Sequence, residues 1–207
     1  MVKLNNVTLV AVSSVRINET INALIKSMSG IQYKEVIFIS HEKSINLPKD
    51  IIFKKCNKLN NIIDYNNFIL YELVNYIETD FVLLIQYDGY VLRPNKWNDI
   101  FLTFDYIGAP WPKNVHYNGN LNIRVGNGGF SLRSKKILNV LNELKLSLID
   151  NGTGYFNEDG VLCNYYRKTL EENGIKYATP EIAAMFSHES NCDEDVNEPF
   201  GFHKFIK

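Results

Sequence analysis

Short apolar runs alternate with amphipathic segments through the first half of the chain. Val7 to Val12 reads as a buried strand ending at Ser13 and Ser14. Asn18 to Met28 then places Ile21, Leu24, Ile25 and Met28 at helical spacing. Val36 to Ile39 is a second buried strand, a loop carrying Pro48 follows, and Ile51 to Lys54 is a short third strand. Asp64 is placed to cap a helix from Tyr65 to Ile77, whose apolar stripe includes Phe68, Leu70, Leu73 and Ile77. Phe81 to Ile85 is the fourth strand and the most apolar. This alternation predicts an α/β fold with a mostly parallel, Rossmann-type sheet and helices on both faces.

Beyond Ile85 the pattern changes. Residues 105 to 133 carry Gly108, Pro110, Pro112, Gly119, Gly126, Gly128 and Gly129 between short strand-like pieces. Ser134 to Leu148 reads as a helix, and Asn157 opens another running to about Asn173. The tail from Thr179 to Lys207 reads as irregular. With no repeat, low-complexity stretch or linker-like break, residues 1–207 are expected to form one domain.

Composition narrows the function classes. Apolar residues make up 45% of the 207, as in a folded globular protein. Lysine and arginine total 22 against 23 acids, a net charge of -1 that argues against nucleic-acid binding. No run reaches the roughly 18 apolar residues of a membrane span, so a cytoplasmic protein is expected. Cys56, Cys163 and Cys192 lack metal-site spacing and read as reduced thiols.

Four constellations can carry chemistry. Gln86-Tyr87-Asp88-Gly89 follows the fourth strand, and ligands of open α/β sheets bind outside the carboxyl ends of strands. Asp88 there suits Mg²⁺ or Mn²⁺ shared with a diphosphate, and it equally suits an ordinary Asp-Gly turn. Gly126-Asn127-Gly128-Gly129 permits close backbone approach to a ligand, or a tight bend between strands. In Asn157-Glu158-Asp159-Gly160, a carboxylate can act as a general base, but Asn157 as an N-cap followed by first-turn acids explains the run as well. His41, His116, His188 and His203 are the available imidazoles.

In this order the pieces resemble the GT-A glycosyltransferase superfamily. Gln86-Tyr87-Asp88 resembles its Asp-x-Asp motif, Gly126 to Gly129 its glycine-rich loop, and Asn157-Glu158-Asp159 its x-Glu-Asp motif. The runs LVAVSSV, DYNNFILYELVNYI, QYDGYVL, DYIGAPWP, VGNGGFSLRS, NEDGV and PFGFHKF are similar to a poorly characterised family of bacterial and viral GT-A-like domains. The resemblance implies a nucleotide-binding half over about residues 1–100 and an acceptor-side half with a smaller sheet over about 101–207.

It also implies transfer of a sugar from a nucleotide-diphosphate donor to a glycan, lipid-linked or protein hydroxyl, with inversion, in glycan biosynthesis. Asp88 and His203 would hold Mn²⁺ or Mg²⁺, with His188 in reserve, and Asp159 would be the base. The backbone of Ala11, Val12 and Ser13, with Asp64 and Asn67, would lie near the nucleoside, alongside Gln86, Tyr87, Gly128 and Gly129. Trp111 would stack on a sugar face, or serve as core. Gln86 departs from the motif's first Asp, which should weaken the hold on metal. The rival readings are a sugar nucleotidyltransferase, disfavoured because Val12-Ser13-Ser14-Val15-Arg16 lacks a glycine loop, and a non-catalytic carbohydrate-binding module.

Overall fold

The computed structural model describes residues 1–113, 124–148, 157–189, 193 and 198–204; His116, Gly119 and Cys192 lie outside them. Its elements are β1 (Val2–Val12), α1 (Ile17–Met28), β2 (Ile31–Ser40), β3 (Ile52–Lys55), α2 (Ile62–Asn67), β4 (Phe81–Ile85), β5 (Gly89–Val91) and β6 (Tyr106–Ile107). They continue with β7 (Phe130–Ser134), α3 (Lys135–Glu143), α4 (Glu158–Gly160), α5 (Arg167–Glu172), α6 (Pro180–Phe186), β8 (Ser187–Glu189) and β9 (Gly201–His203).

A six-stranded sheet runs in the order β3-β2-β1-β4-β7-β6. The first four strands are parallel, and β7 runs antiparallel to both β4 and β6. Alternation along β1 divides the core between the two faces. Leu9 and Ala11 pack with Ile21 and Leu24 of α1, whereas Val10 and Val12 pack with Phe68, Leu73 and Ile77. Helices therefore cover both faces, as the apolar runs predict. A second, three-stranded sheet, β5-β9-β8, is the smaller sheet of the expected fold class.

Several boundaries differ from the sequence reading. β1 begins at Val2, because Val2 to Leu4 pair with Ile31 to Tyr33 before the register shifts between Leu4 and Thr8. That bulge falls on Asn5-Asn6, the polar pair that hides the strand's first residues from a hydrophobicity pattern. The second helix starts earlier than Tyr65, and Asn61 caps it by accepting from the Ile63 and Asp64 N–H groups. Asp64 instead accepts from the Asn60 N–H. The helix then widens into a π-helical turn, Phe68–Glu72, and tightens into a 3₁₀ turn, Leu73–Tyr76.

α3 ends at Glu143, short of Leu148, and Ser134 is its cap, accepting from the Ile137 N–H. The helix expected from Asn157 is broken into α4, a π-helical turn at Val161–Tyr165, and α5. Asn157 makes no side-chain cap bond; Asn66 Oδ1 takes the Glu158 N–H instead. The tail is more regular than expected, supplying α6, β8 and β9. Cys56 and Cys163 are buried free thiols. No helix among the described residues is long and apolar enough to cross a membrane.

Candidate active site

β4 delivers Gln86 to the carboxyl edge of the sheet, where the Gln86 N–H donates to Gly129 O at 2.9 Å. The chain turns back at once: the Gly89 N–H donates to Gln86 O at 3.1 Å and starts β5. Asp88 is thus a turn residue, and its turn also faces a partner strand. β5 pairs antiparallel with β9, setting Gly89 opposite His203, and the Lys204 N–H donates to Asp88 O at 3.2 Å.

This pairing brings Asp88 and His203 together. Asp88 Oδ1 lies 3.3 Å from His203 Nε2, and neither buried atom has a hydrogen bond to any other group. His203 Nδ1 lies 3.2 Å from Glu189 Oε1 on β8. An imidazole oriented by a carboxylate through its far nitrogen is the usual arrangement behind a metal-ligating histidine. Burial would lower the His203 pKa, but the flanking Asp88 and Glu189 outweigh it and raise it above 6.5. Burial would likewise push Asp88 up, yet hydrogen bonding and charge from His203 hold its carboxyl below 3.8.

Gly129 makes room for the imidazole: a Cβ there would sit 2.0 Å from His203 Nε2. The close approach therefore requires glycine, consistent with the loop's expected role in letting backbone come near a functional group.

A second cluster underlies the glycine loop. Arg133, on β7, has no exposed surface and makes a two-pronged ion pair with Glu158, at 2.8 Å for Nη1 to Oε2 and 3.0 Å for Nη2 to Oε1. Its Nε donates to Ser131 Oγ at 3.0 Å. Burial favours the neutral form of each partner and pushes the Glu158 carboxyl up; Glu158 in turn holds the guanidinium protonated. The adjacent Asp159 accepts from the Gly128 N–H at 3.3 Å. The Glu-Asp pair thus divides its work, with Glu158 turned into the core and Asp159 toward the loop.

Two adjoining pockets meet at this edge. One, of about 320 Å³, is lined by Val12, Ser13, Asn60, Asn61, Tyr65 and Tyr87 among others. The other, of about 180 Å³, is lined by residues that include Trp111, Asn127, Gly128, Gly129, Asp159 and His203. Ile62, Tyr65 and Gln86 line both, so the two form one cleft. Gln86 Nε2 donates to Tyr65 Oη at 3.1 Å at that junction.

Most of the expected site residues gather here, with clear exceptions; Asp88 pairs with the lining residue His203 but itself lines neither pocket. Ala11 is buried within β1. Asp64 braces the Asn60 loop rather than lining either pocket. Asn67 faces a separate depression with Tyr71 and Leu141. Its neighbour Asn66 lines the cleft instead, because one helical residue turns the side chain by roughly 100°. Neither His41 nor His188 lines the cleft; adjacent strand residues point to opposite faces, which separates His188 from Glu189. Tyr65, Asn66, Arg133, Glu189 and Lys204 are cleft or supporting residues that the motifs missed. Arg133 gave no signal in the sequence, because Phe130–Ser134 alternates apolar and polar residues like a half-exposed strand and only the fold buries it against Glu158.

A family model for a protein of unknown function (DUF5672) matches residues 43–203. The chain belongs to this DUF5672 family. No curated protein matches its sequence. Solved structures share the DUF5672 chain's fold at low identity. The galactosyltransferase LgtC, solved with donor and acceptor sugar analogues, is 15% identical, with a TM-score of 0.57 over 95% of this chain and 86% of that one. The glycosyltransferase GlyE of Streptococcus pneumoniae TIGR4 is 13% identical, with a TM-score of 0.52 over 97% of this chain and 54% of that one. The mannosyltransferase PcManGT from Pyrobaculum calidifontis, solved with GDP-Man and Mn²⁺, is 10% identical, with a TM-score of 0.50 over 86% of this chain and 55% of that one. The DUF5672 chain thus spans about half the length of the latter two. Its fold is the α/β, GT-A-like fold of these glycosyltransferases.

Proposed function

We propose that the protein is a glycosyltransferase, moving a hexose from a nucleotide-diphosphate donor to a hydroxyl acceptor, and that residues 1–207 act as one GT-A-like domain. The observation that carries this reading is the facing pair Asp88 Oδ1 and His203 Nε2, buried 3.3 Å apart beside the cleft with no other hydrogen-bond partner. Two such atoms fit neighbouring positions around one hard divalent ion. Among the described residues no group of three or more His, Cys, Asp or Glu can hold a metal. An ion here would therefore have to be completed by the donor's diphosphate and water, as is common for Mg²⁺, and Mn²⁺ suits the same ligands. Such an ion would supply positive charge against the departing diphosphate.

The chain's own residues have distinct tasks. Val12 and Ser13, with Tyr65 and Tyr87, form the wall for the nucleoside. Gln86 and Tyr65 stand between this wall and the inner compartment, where an amide and a phenol can meet donor hydroxyls. Asp159 takes the proton of the attacking acceptor hydroxyl, with Gly128 N–H fixing its carboxylate, and direct displacement inverts the anomeric centre. The acceptor is a glycan, lipid-linked or protein hydroxyl.

Wild-type protein with Mn²⁺ and a panel of nucleotide sugars should release nucleoside diphosphate and bind at least one donor by calorimetry. Asp159→Asn should retain donor binding while turnover falls about 10²- to 10⁴-fold. Undiminished turnover in that variant would remove Asp159 as the base. Donor binding without turnover in wild type, across all acceptors tried, would favour a binding module.

A further inference from the structure

The inner compartment of the cleft is small, about 180 Å³. It is the smaller of the two compartments and opens into the larger one past Tyr65 and Gln86. Its wall includes Asn127, whose side chain is buried and whose Nδ2 has no hydrogen-bond partner. Neighbouring donors of the same loop are engaged: Gly126 N–H on Ala109 O, Gly128 N–H on Asp159, and the Ser131 hydroxyl on Gly128 O.

The loop also holds Asn127 in a costly conformation. Its φ of 62° is left-handed, a region that Asn tolerates better than most residues. The flanking glycines lock the loop there. A Cβ at Gly126 would sit 1.9 Å from the Trp111 ring, and one at Gly128 would sit 1.7 Å from Glu158 Oε1. A buried, unpaired donor on a strained backbone has to be explained by something that meets it.

We infer that Asn127 reads a sugar hydroxyl, its carboxamide donating to a hydroxyl oxygen of a pyranose in the inner compartment. Asn127 lines the compartment and its final torsion is broad and two-fold, so either end of the amide can be presented to a ligand there. The compartment's lining carries both signs of charge, Asp159 and Glu189 beside His203 and Lys204, and a neutral carboxamide among them fits a neutral hydroxyl. This rests on the glycosyl-transfer reading of the cleft and specifies its substrate as a pyranose. The pyranose is either the donor's sugar or the acceptor's.

Two variants of the full chain test this. Asn127→Gly removes the amide and relaxes the left-handed backbone, so the protein should stay folded. Asn127→Asp keeps the shape but replaces the donor with an acceptor. UDP-glucose and GDP-mannose, with UDP and GDP as controls, are titrated in Mn²⁺, and turnover is measured with a panel of free hexoses as acceptors. If the donor sugar is read, both variants bind the nucleotide sugar roughly three- to tenfold more weakly and bind UDP or GDP as wild type does. If the acceptor is read, donor affinity is unchanged and the KM for the hexose rises by a similar factor.

Wild-type donor affinity together with wild-type hexose KM in either variant would overturn the role of Asn127. A variant that loses thermal stability while affinity and KM stay unchanged would do the same. Failure of the glycosyl-transfer reading itself would be visible in wild type, as no binding of any nucleotide sugar, and would take this inference with it.

Discussion

The two compartments of the cleft share Ile62, Tyr65 and Gln86 but are built in opposite ways. In the larger one, polar side chains are tied up by their own loops. Ser13 Oγ donates to Val15 O, Ser14 Oγ accepts from Leu59 N–H, and Asn61 caps α2. That wall offers shape and apolar surface, with hydrogen bonds already made. The inner compartment has Asn127 Nδ2 left without a hydrogen bond, and beside it Asp88 Oδ1 and His203 Nε2 have no partner beyond each other, next to the buried Arg133–Glu158 pair. One end is preassembled, and the other keeps groups waiting for a ligand. Unsatisfied buried groups cost stability, so their concentration at one end is itself a functional signal.

The comparison is broken most severely by removing one member of the buried ion pair. Arg133→Met strands Glu158 in the core and should lower stability by about 3–5 kcal/mol, measured by denaturant unfolding. Pairing it with Glu158→Leu should restore much of that stability. If the single variant unfolds like wild type, the ion pair does not hold the inner compartment together. Gly129→Ala comes next. A methyl 2.0 Å from His203 Nε2 must push the imidazole away from Asp88, at a cost of about 1–3 kcal/mol typical of overpacking. The readout is thermal unfolding together with loss of Mn²⁺-dependent donor binding. Wild-type values for both would mean that the loop does not set the histidine.

The smallest effect is on pH dependence. His203 has a raised pKa in the fold, so metal-free protein has this contribution in full below the unfolded value of about 6.5. It is lost as pH rises through the folded value. Asp88 is held low, so its contribution is present above 3.8 and is lost as pH falls through its folded value. Metal-free thermal unfolding followed across pH should show the alkaline decline in wild type and a flatter profile in His203→Gln. Parallel profiles would contradict the coupling. Mn²⁺ binding should move the other way, strengthening with pH as the imidazole gives up its proton.

These contrasts also explain what the sequence revealed. β4 was bounded correctly from its apolar run, Phe81 to Ile85, because a central parallel strand is buried on both faces. β8 and β9 have three residues each and exist through pairing with β5 and one another, a long-range condition invisible to local pattern. The same pairing decides between His188 and His203 as neighbour of Asp88. Asn66 and Asn67 are chemically identical in sequence, and only the helix's rotation at that point tells which one meets the cleft. The widened turn Phe68–Glu72 has no mark in the local pattern, and its Phe68 and the Leu73 that follows are both buried in the core. Motif residues at strand ends were legible because chemistry and position coincide there. The supporting residues Asn66, Arg133 and Glu189 were not, since their partners come from distant segments.

The central claim is that Asp88 and His203 together hold a divalent ion for the donor diphosphate. Calorimetric titration of Mn²⁺ in the presence of UDP or GDP tests it most directly, comparing wild type with Asp88→Asn at equal fold stability. The predicted result is Mn²⁺ binding by wild type that weakens at least about tenfold in the variant. Equal Mn²⁺ affinity in the two proteins would contradict the account.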